Sequence, residues 1–128
     1  MPLANIYIQD VWDDEVIRNI SDDVHEALVD AFKIPQDDYN HRIIKLDPAR
    51  FIHSERQNDR CIFINIFIFP GRSKDAKRKL YAGIYERLGR RGIKESDLIV
   101  VLNEPSLENW GIKGKPGDEV DIGFNLNV

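Results

Sequence analysis

The same strand–helix–strand pattern is spelled twice in this chain, 59 residues apart, and no other feature limits its fold as tightly. Ile34-Pro35-Gln36-Asp37-Asp38 stands between a helix and a strand, and Ile93-Lys94-Glu95-Ser96-Asp97 stands at the same point of the second copy. In the first copy, residues 3–8 (Leu-Ala-Asn-Ile-Tyr-Ile) read as a strand. Asp13, Asp14 and Glu15 place acid where a helix dipole favours it. Ile17, Ile20, Val24, Ala27, Leu28, Ala31 and Phe32 follow at three- and four-residue spacing, one apolar helix face, until Pro35 stops it. Arg42–Leu46 reads as a short strand, and residues 47–60 as a polar loop. The second copy opens with residues 62–69, β-branched and aromatic throughout, broken by Pro70-Gly71. A helix begins near Ser73, carries Ala76, Leu80, Ile84 and Leu88 on one side and ends at Gly92, and Asp97–Leu102 supplies the last strand. The tail, with Pro105, Gly111, Gly114, Pro116 and Gly117, is turn-rich and predicts a short hairpin ending in Phe124.

The expected fold is therefore α+β. Duplicated βαβ units form a four-stranded sheet with two helices on one face, followed by a short C-terminal hairpin or extension. We expect one domain over 1–128: unit 1 at about 2–47, unit 2 at about 61–103 and an extension at 104–128. The strand at 62–69 is apolar on both faces, so the face without helices should meet a partner subunit.

Composition narrows the function. A net charge of −4 gives no basic footprint for nucleic acid. No apolar run is long enough to cross a bilayer, and the first residues lack the pattern of a signal peptide. Cys61 is the one cysteine, which excludes an intramolecular disulfide and suits a reducing compartment. These readings predict a cytoplasmic protein with no nucleic-acid or membrane partner. His25, His41 and His53 are scattered without metal-ligand spacing, and no phosphate-binding loop exists, so neither metal nor cofactor is expected.

The chemistry suggested by the residues starts at Pro2. Removal of Met1 leaves Pro2 with a free secondary amine, whose unperturbed pKa is about 8. Burial in an apolar pocket lowers that value. A neutral amine near pH 7 can take a proton or attack a carbonyl. Arg72, with a planar fork at the start of a helix, suits a carboxylate or an enolate. Its basic neighbours (Lys74, Lys77, Arg78, Lys79) equally suit a solvated helix face.

Met1-Pro2-Leu3, the helix end Ala31–Asp38, Gly71-Arg72-Ser73 and Glu108-Asn109-Trp110 together resemble the tautomerase superfamily, whose members use an amino-terminal proline. The length and the duplicated unit resemble its fused group, which includes malonate semialdehyde decarboxylase. The resemblance implies a proline in an apolar pocket at a subunit boundary of a homotrimer. It implies a catalytic aspartate at Asp38 and a substrate-binding arginine at Arg72. A further arginine of that decarboxylase falls at Pro70 and is absent here. Asp38 also reads as a turn or strand cap, as Asp97 would be in the second copy. Tyr39 could donate to an enolate, Trp110 could close the apolar pocket, and Arg56 could add a second positive charge. The expected function is a keto–enol tautomerase acting on a small 2-oxo acid, with Pro2 as general base. The alternatives are a malonate semialdehyde decarboxylase-like lyase or hydratase using protonated Pro2, and a non-catalytic trimeric binding module of the same fold.

Overall fold

The computed structural model describes residues 2–123 and 126–128. The elements follow the expected order: β1 (Pro2–Gln9), α1 (Asp14–Phe32), β2 (His41–Leu46), β3 (Ile62–Ile68), α2 (Lys74–Gly89) and β4 (Leu98–Asn103). A small hairpin, β5 (Gly111–Ile112) and β6 (Lys115–Pro116), lies in the tail. Phe124, at which we expected a hairpin to end, is outside the described residues.

The sheet order is β2-β1-β3-β4. Within each copy the strands are parallel, and the copies meet antiparallel along β1 and β3, where Pro2 pairs with Ile68 and Ile8 with Ile62. The register alternates buried and half-exposed residues. Ala4, Ile6 and Ile8 of β1 and Ile62, Ile64, Ile66 and Ile68 of β3 point to the helices, as the two-residue strand period requires. They pack on the predicted helix faces, with Leu28 and Phe32 from α1 and Leu80 and Ile84 from α2 fully buried. Arg87 of α2 donates to Asp30 of α1 at 2.7 Å, and Arg91 pairs with Asp23.

Helix ends have local causes. Lys33 turns left-handed (φ 56°) after α1, and its N–H donates to the Val29 carbonyl, so the chain leaves the helix two residues before Pro35. Ser73 caps α2, accepting from the Ala76 N–H at 3.1 Å. α2 stops at Gly89, ahead of the expected Gly92, because residues 90–92 close a turn in which Gly92 takes φ +87°.

The opposite sheet face carries Leu3, Tyr7, Phe63, Phe67, Ile99 and Val101 around Asn65 and Asn103, whose side chains hydrogen-bond to each other. Tyr7 and Phe63 stack at 5.5 Å. Ile99 and Val101 are 50% and 39% exposed, so none of the described residues closes over that part of the face.

Candidate active site

Strand directions decide which candidate residues meet. β1 and β2 begin where β3 and β4 end, so four chain segments converge on one sheet edge. Pro2 opens β1 there and is buried. The turn between α1 and β2 brings Asp38, whose N–H donates to the Pro35 carbonyl at 3.0 Å. Asn40 fastens that turn in two ways. Its side-chain amide donates to the Asp38 carboxylate at 2.7 Å, and its carbonyl accepts from the Ala4 N–H at 3.0 Å. Asp38 is thereby tied to the strand that Pro2 begins.

β3 delivers Phe69, Pro70, Gly71 and Arg72 to the same edge. Arg72 is 6% exposed, donates from Nη1 to the Phe69 carbonyl at 3.1 Å and lies 5.1 Å over the Phe32 ring. Burial lowers its pKa from the usual arginine value, and the charges of Glu104 and Asp38 oppose that shift. It is a buried cation, not the solvated alternative. Gly71 has φ +120°, and a Cβ there would sit 3.1 Å from the Leu126 carbonyl oxygen. A side chain at this position would strain the backbone and crowd that oxygen. The Val128 carbonyl accepts from the Ser73 N–H at 2.7 Å, so residues 126–128 lie against the Arg72 segment.

Beside these groups opens a cavity of about 380 Å³. Its apolar wall is Pro35, Phe69, Ile112 and Ile122, and its charged lining is Asp37, Asp38, Asp121 and Lys113. Trp110 backs the wall, meeting Phe69 edge-on at 4.6 Å and donating from Nε1 to the Pro105 carbonyl at 3.1 Å. Gly117 permits that packing, since a Cβ there would fall 2.7 Å from the Leu107 carbonyl oxygen.

Tyr39 and Arg56 are placed elsewhere. The Tyr39 ring stacks on His25 at 4.1 Å, and its hydroxyl donates to Asp22 at 2.6 Å and bonds Ser21 at 2.9 Å. Its phenol therefore faces α1 and lines a separate hollow with Arg18, Ser21, His41 and Ile43. Burial, then the Asp22 bond, raises the Tyr39 pKa. His41 is pushed down to about 4, first by burial and then by His25. Arg56 is exposed on the loop that leads into the far end of β3. Among the described residues, no group of three or more His, Cys, Asp or Glu side chains is arranged to hold a metal ion.

Four residues around this edge are not singled out by the sequence: Asp37, Lys113 and Asp121 in the cavity lining, and Glu104, which pairs with Lys77. One signal was available. Lys113 (φ 53°) and Gly114 (φ 79°) form the left-handed pair of a tight hairpin turn, which the Lys-Gly dipeptide between short apolar and polar runs permits.

The family of tautomerase enzymes matches residues 38–113. A probable tautomerase of Bacillus subtilis (strain 168), YusQ, is 22% identical over 116 residues, covering 86% of this chain and 91% of that protein. A crystal structure of malonate semialdehyde decarboxylase, an enzyme with decarboxylase and hydratase activities, is 26% identical at a TM-score of 0.78. The match covers 92% of this chain and 99% of that one. A fused 4-OT, described as a symmetric trimer, is 16% identical at a TM-score of 0.76, covering 88% and 93% of the two chains.

Proposed function

The chain belongs to the tautomerase family, and from that premise we propose that it is a keto–enol tautomerase acting on a small 2-oxo acid. The observation that carries this reading is the convergence of Pro2, Asp38 and buried Arg72 on one sheet edge, where Asp38 and Phe69 line a cavity. Once Met1 is removed, the neutral Pro2 amine takes the proton from the enol oxygen. Negative charge then spreads over oxygen and carbon, and the protonated amine returns the proton to carbon. Arg72 holds the substrate carboxylate or the enolate charge. Its burial strengthens that attraction relative to water. Asp38 orients the ammonium form of Pro2 or a water, and Trp110 keeps the Phe69 wall in place. Tyr39, turned to α1, fixes the turn that carries Asp38. Arg56 stands at the far end of β3 and would serve only a neighbouring protomer's pocket. The uncovered apolar face supports a homotrimer. The lone cysteine supports a cytoplasmic location, and among the described residues no helix is long and apolar enough to cross a membrane.

The test is enol-to-keto conversion of phenylenolpyruvate by protein whose processed N-terminus has been verified by mass spectrometry. Turnover that Pro2→Ala abolishes supports the reading. No turnover, or turnover indifferent to Pro2→Ala, overturns it. Likeness to malonate semialdehyde decarboxylase favours a second reading, decarboxylation or hydration with Pro2 protonated. Carbon dioxide release from malonate semialdehyde, with Pro2 protonated at neutral pH, would select it. Retention of Met1 in the cell would select a non-catalytic binding module.

A further inference from the structure

We infer that His25 is a positioning residue for Asp38: from the middle of α1 it sets the turn that carries this carboxylate to the Pro2 edge. This rests on the reading above, in which Asp38 orients Pro2 or a water. His25 is 2% exposed. Its Nε2 donates to the Gln36 carbonyl at 2.8 Å and its ring stacks on Tyr39 at 4.1 Å, so it grips the chain on both sides of Asp38. A carbonyl only accepts, so Nε2 carries the proton, and Nδ1 of the uncharged ring is an acceptor. That Nδ1 is buried and, among the described residues, has no hydrogen-bond partner. A buried acceptor left bare costs stability. The second copy of the unit shows that the fold does not require this cost. Asp97 makes the same turn, its N–H donating to the Lys94 carbonyl at 2.9 Å as that of Asp38 donates to Pro35 at 3.0 Å. Yet at the offset of 59, Leu80, Ile84, Leu98 and Ile99 stand where the first copy has Ser21, His25, Tyr39 and Asn40. Ile84 is fully buried and packs with no polar atom. The joint between helix and turn therefore closes on apolar side chains alone. The polar set stands only in the copy whose aspartate lines a cavity, and Asn40 completes it by bonding the Asp38 carboxylate at 2.7 Å.

The experiment uses His25→Ile, which installs the second copy's residue, and His25→Gln, whose amide nitrogen lies as many bonds from the backbone as Nε2. The substrate is phenylenolpyruvate, or malonate semialdehyde if the decarboxylase reading holds. We expect His25→Ile to lower kcat by about tenfold with KM within about twofold, the mark of a misplaced reacting group. Its urea midpoint should be no lower than that of the native protein, because the bare Nδ1 is gone and water can bond the carbonyl of exposed Gln36. His25→Gln should recover several-fold of kcat. In an Asp38→Asn background His25→Ile should cost less than about twofold, since effects that pass through one group are not additive. An unchanged kcat, no recovery by His25→Gln, or an equal loss with and without the Asp38 carboxylate overturns the inference while leaving turnover and the tautomerase reading intact. A kcat loss that follows a lowered urea midpoint marks a structural role and overturns it too. If neither substrate turns over, the functional reading fails separately, and the NMR shift of the Asn40 side-chain amide, which bonds Asp38, decides. A shift moved by His25→Ile and returned by His25→Gln supports the inference, and one indifferent to His25→Ile, or not returned, overturns it.

Discussion

At one end of the sheet Pro2 begins β1 opposite Ile68. At the other end, 59 residues along, Cys61 leads into β3 beside Gln9. The backbone arrangement is the same twice over, and the side chains make two different sites of it. At the Pro2 end the aspartate of the helix–strand turn, Asp38, lines a cavity and is held by Asn40. At the Cys61 end its counterpart, Asp97, is 2% exposed and accepts from both the backbone N–H (3.1 Å) and the side-chain amide (2.7 Å) of Asn58. Those bonds fasten the 47–60 loop at this edge, where Phe51, Ile52 and His53 line part of a second cavity of about 340 Å³. Cys61 itself is buried, takes a hydrogen bond from Gln9 and has its thiol pKa raised by burial. A thiol held protonated in this way is a poor nucleophile. Duplication thus repeats a scaffold, and the two ends differ in the groups they present: an aspartate beside a cavity at one, a buried aspartate and a buried thiol at the other.

The sharpest break in this comparison is Pro2→Ala. It should lower kcat for phenylenolpyruvate by about 10²–10⁴, the usual worth of a positioned acid–base group. Cys61→Ser at the matching position should leave kcat within about twofold, since a buried thiol takes no part. Asp97→Asn should cost about 1.5–3 kcal/mol of stability in urea denaturation, because the Asn58 bonds lose their charged acceptor. Asp38→Asn should instead depress kcat with a smaller loss of stability.

The smallest effect is a pH dependence confined to the Pro2 end. His41 opens β2 there, faced by His25, Asp22, Arg18 and Ser21, where the second copy has Val100. Its folded pKa of about 4 lies below the ordinary 6.5, so the unfolded chain binds more protons between these values. The stability that neutral His41 contributes is complete above pH 6.5 and is lost as pH falls towards 4. His41→Gln should flatten the slope of unfolding free energy across that window. An unchanged slope would assign the acid sensitivity to other groups.

The sheet, the two helices and their buried faces are legible in the periodicity of the chain. Ile17 to Phe32 and Ile62 to Ile68 have one packing solution each once two copies must share a sheet. The family resemblance carries Pro2, Asp38 and Arg72. Tyr39 marks the limit of both signals. Its place beside Asp38 suggests a donor to substrate, but the ring finds His25 two helical turns before the end of α1, and its hydroxyl goes to Asp22. Adjacent residues leave a turn in different directions, and only packing decides which.

What the sequence determined by itself is a local matter repeated twice: strand and helix periods, Ser73 as a cap, and the identity of the residue after Met1. These depend on neighbours within a few positions. Tertiary structure alone decided that Asp37, Phe69, Lys113 and Asp121 surround one cavity, and that Arg72 is a buried cation. These groups come from three separate stretches of the chain, around 37, around 69–72 and at 113–121. The charge balance that a substrate meets depends on distances in space, and no spacing along the chain encodes them.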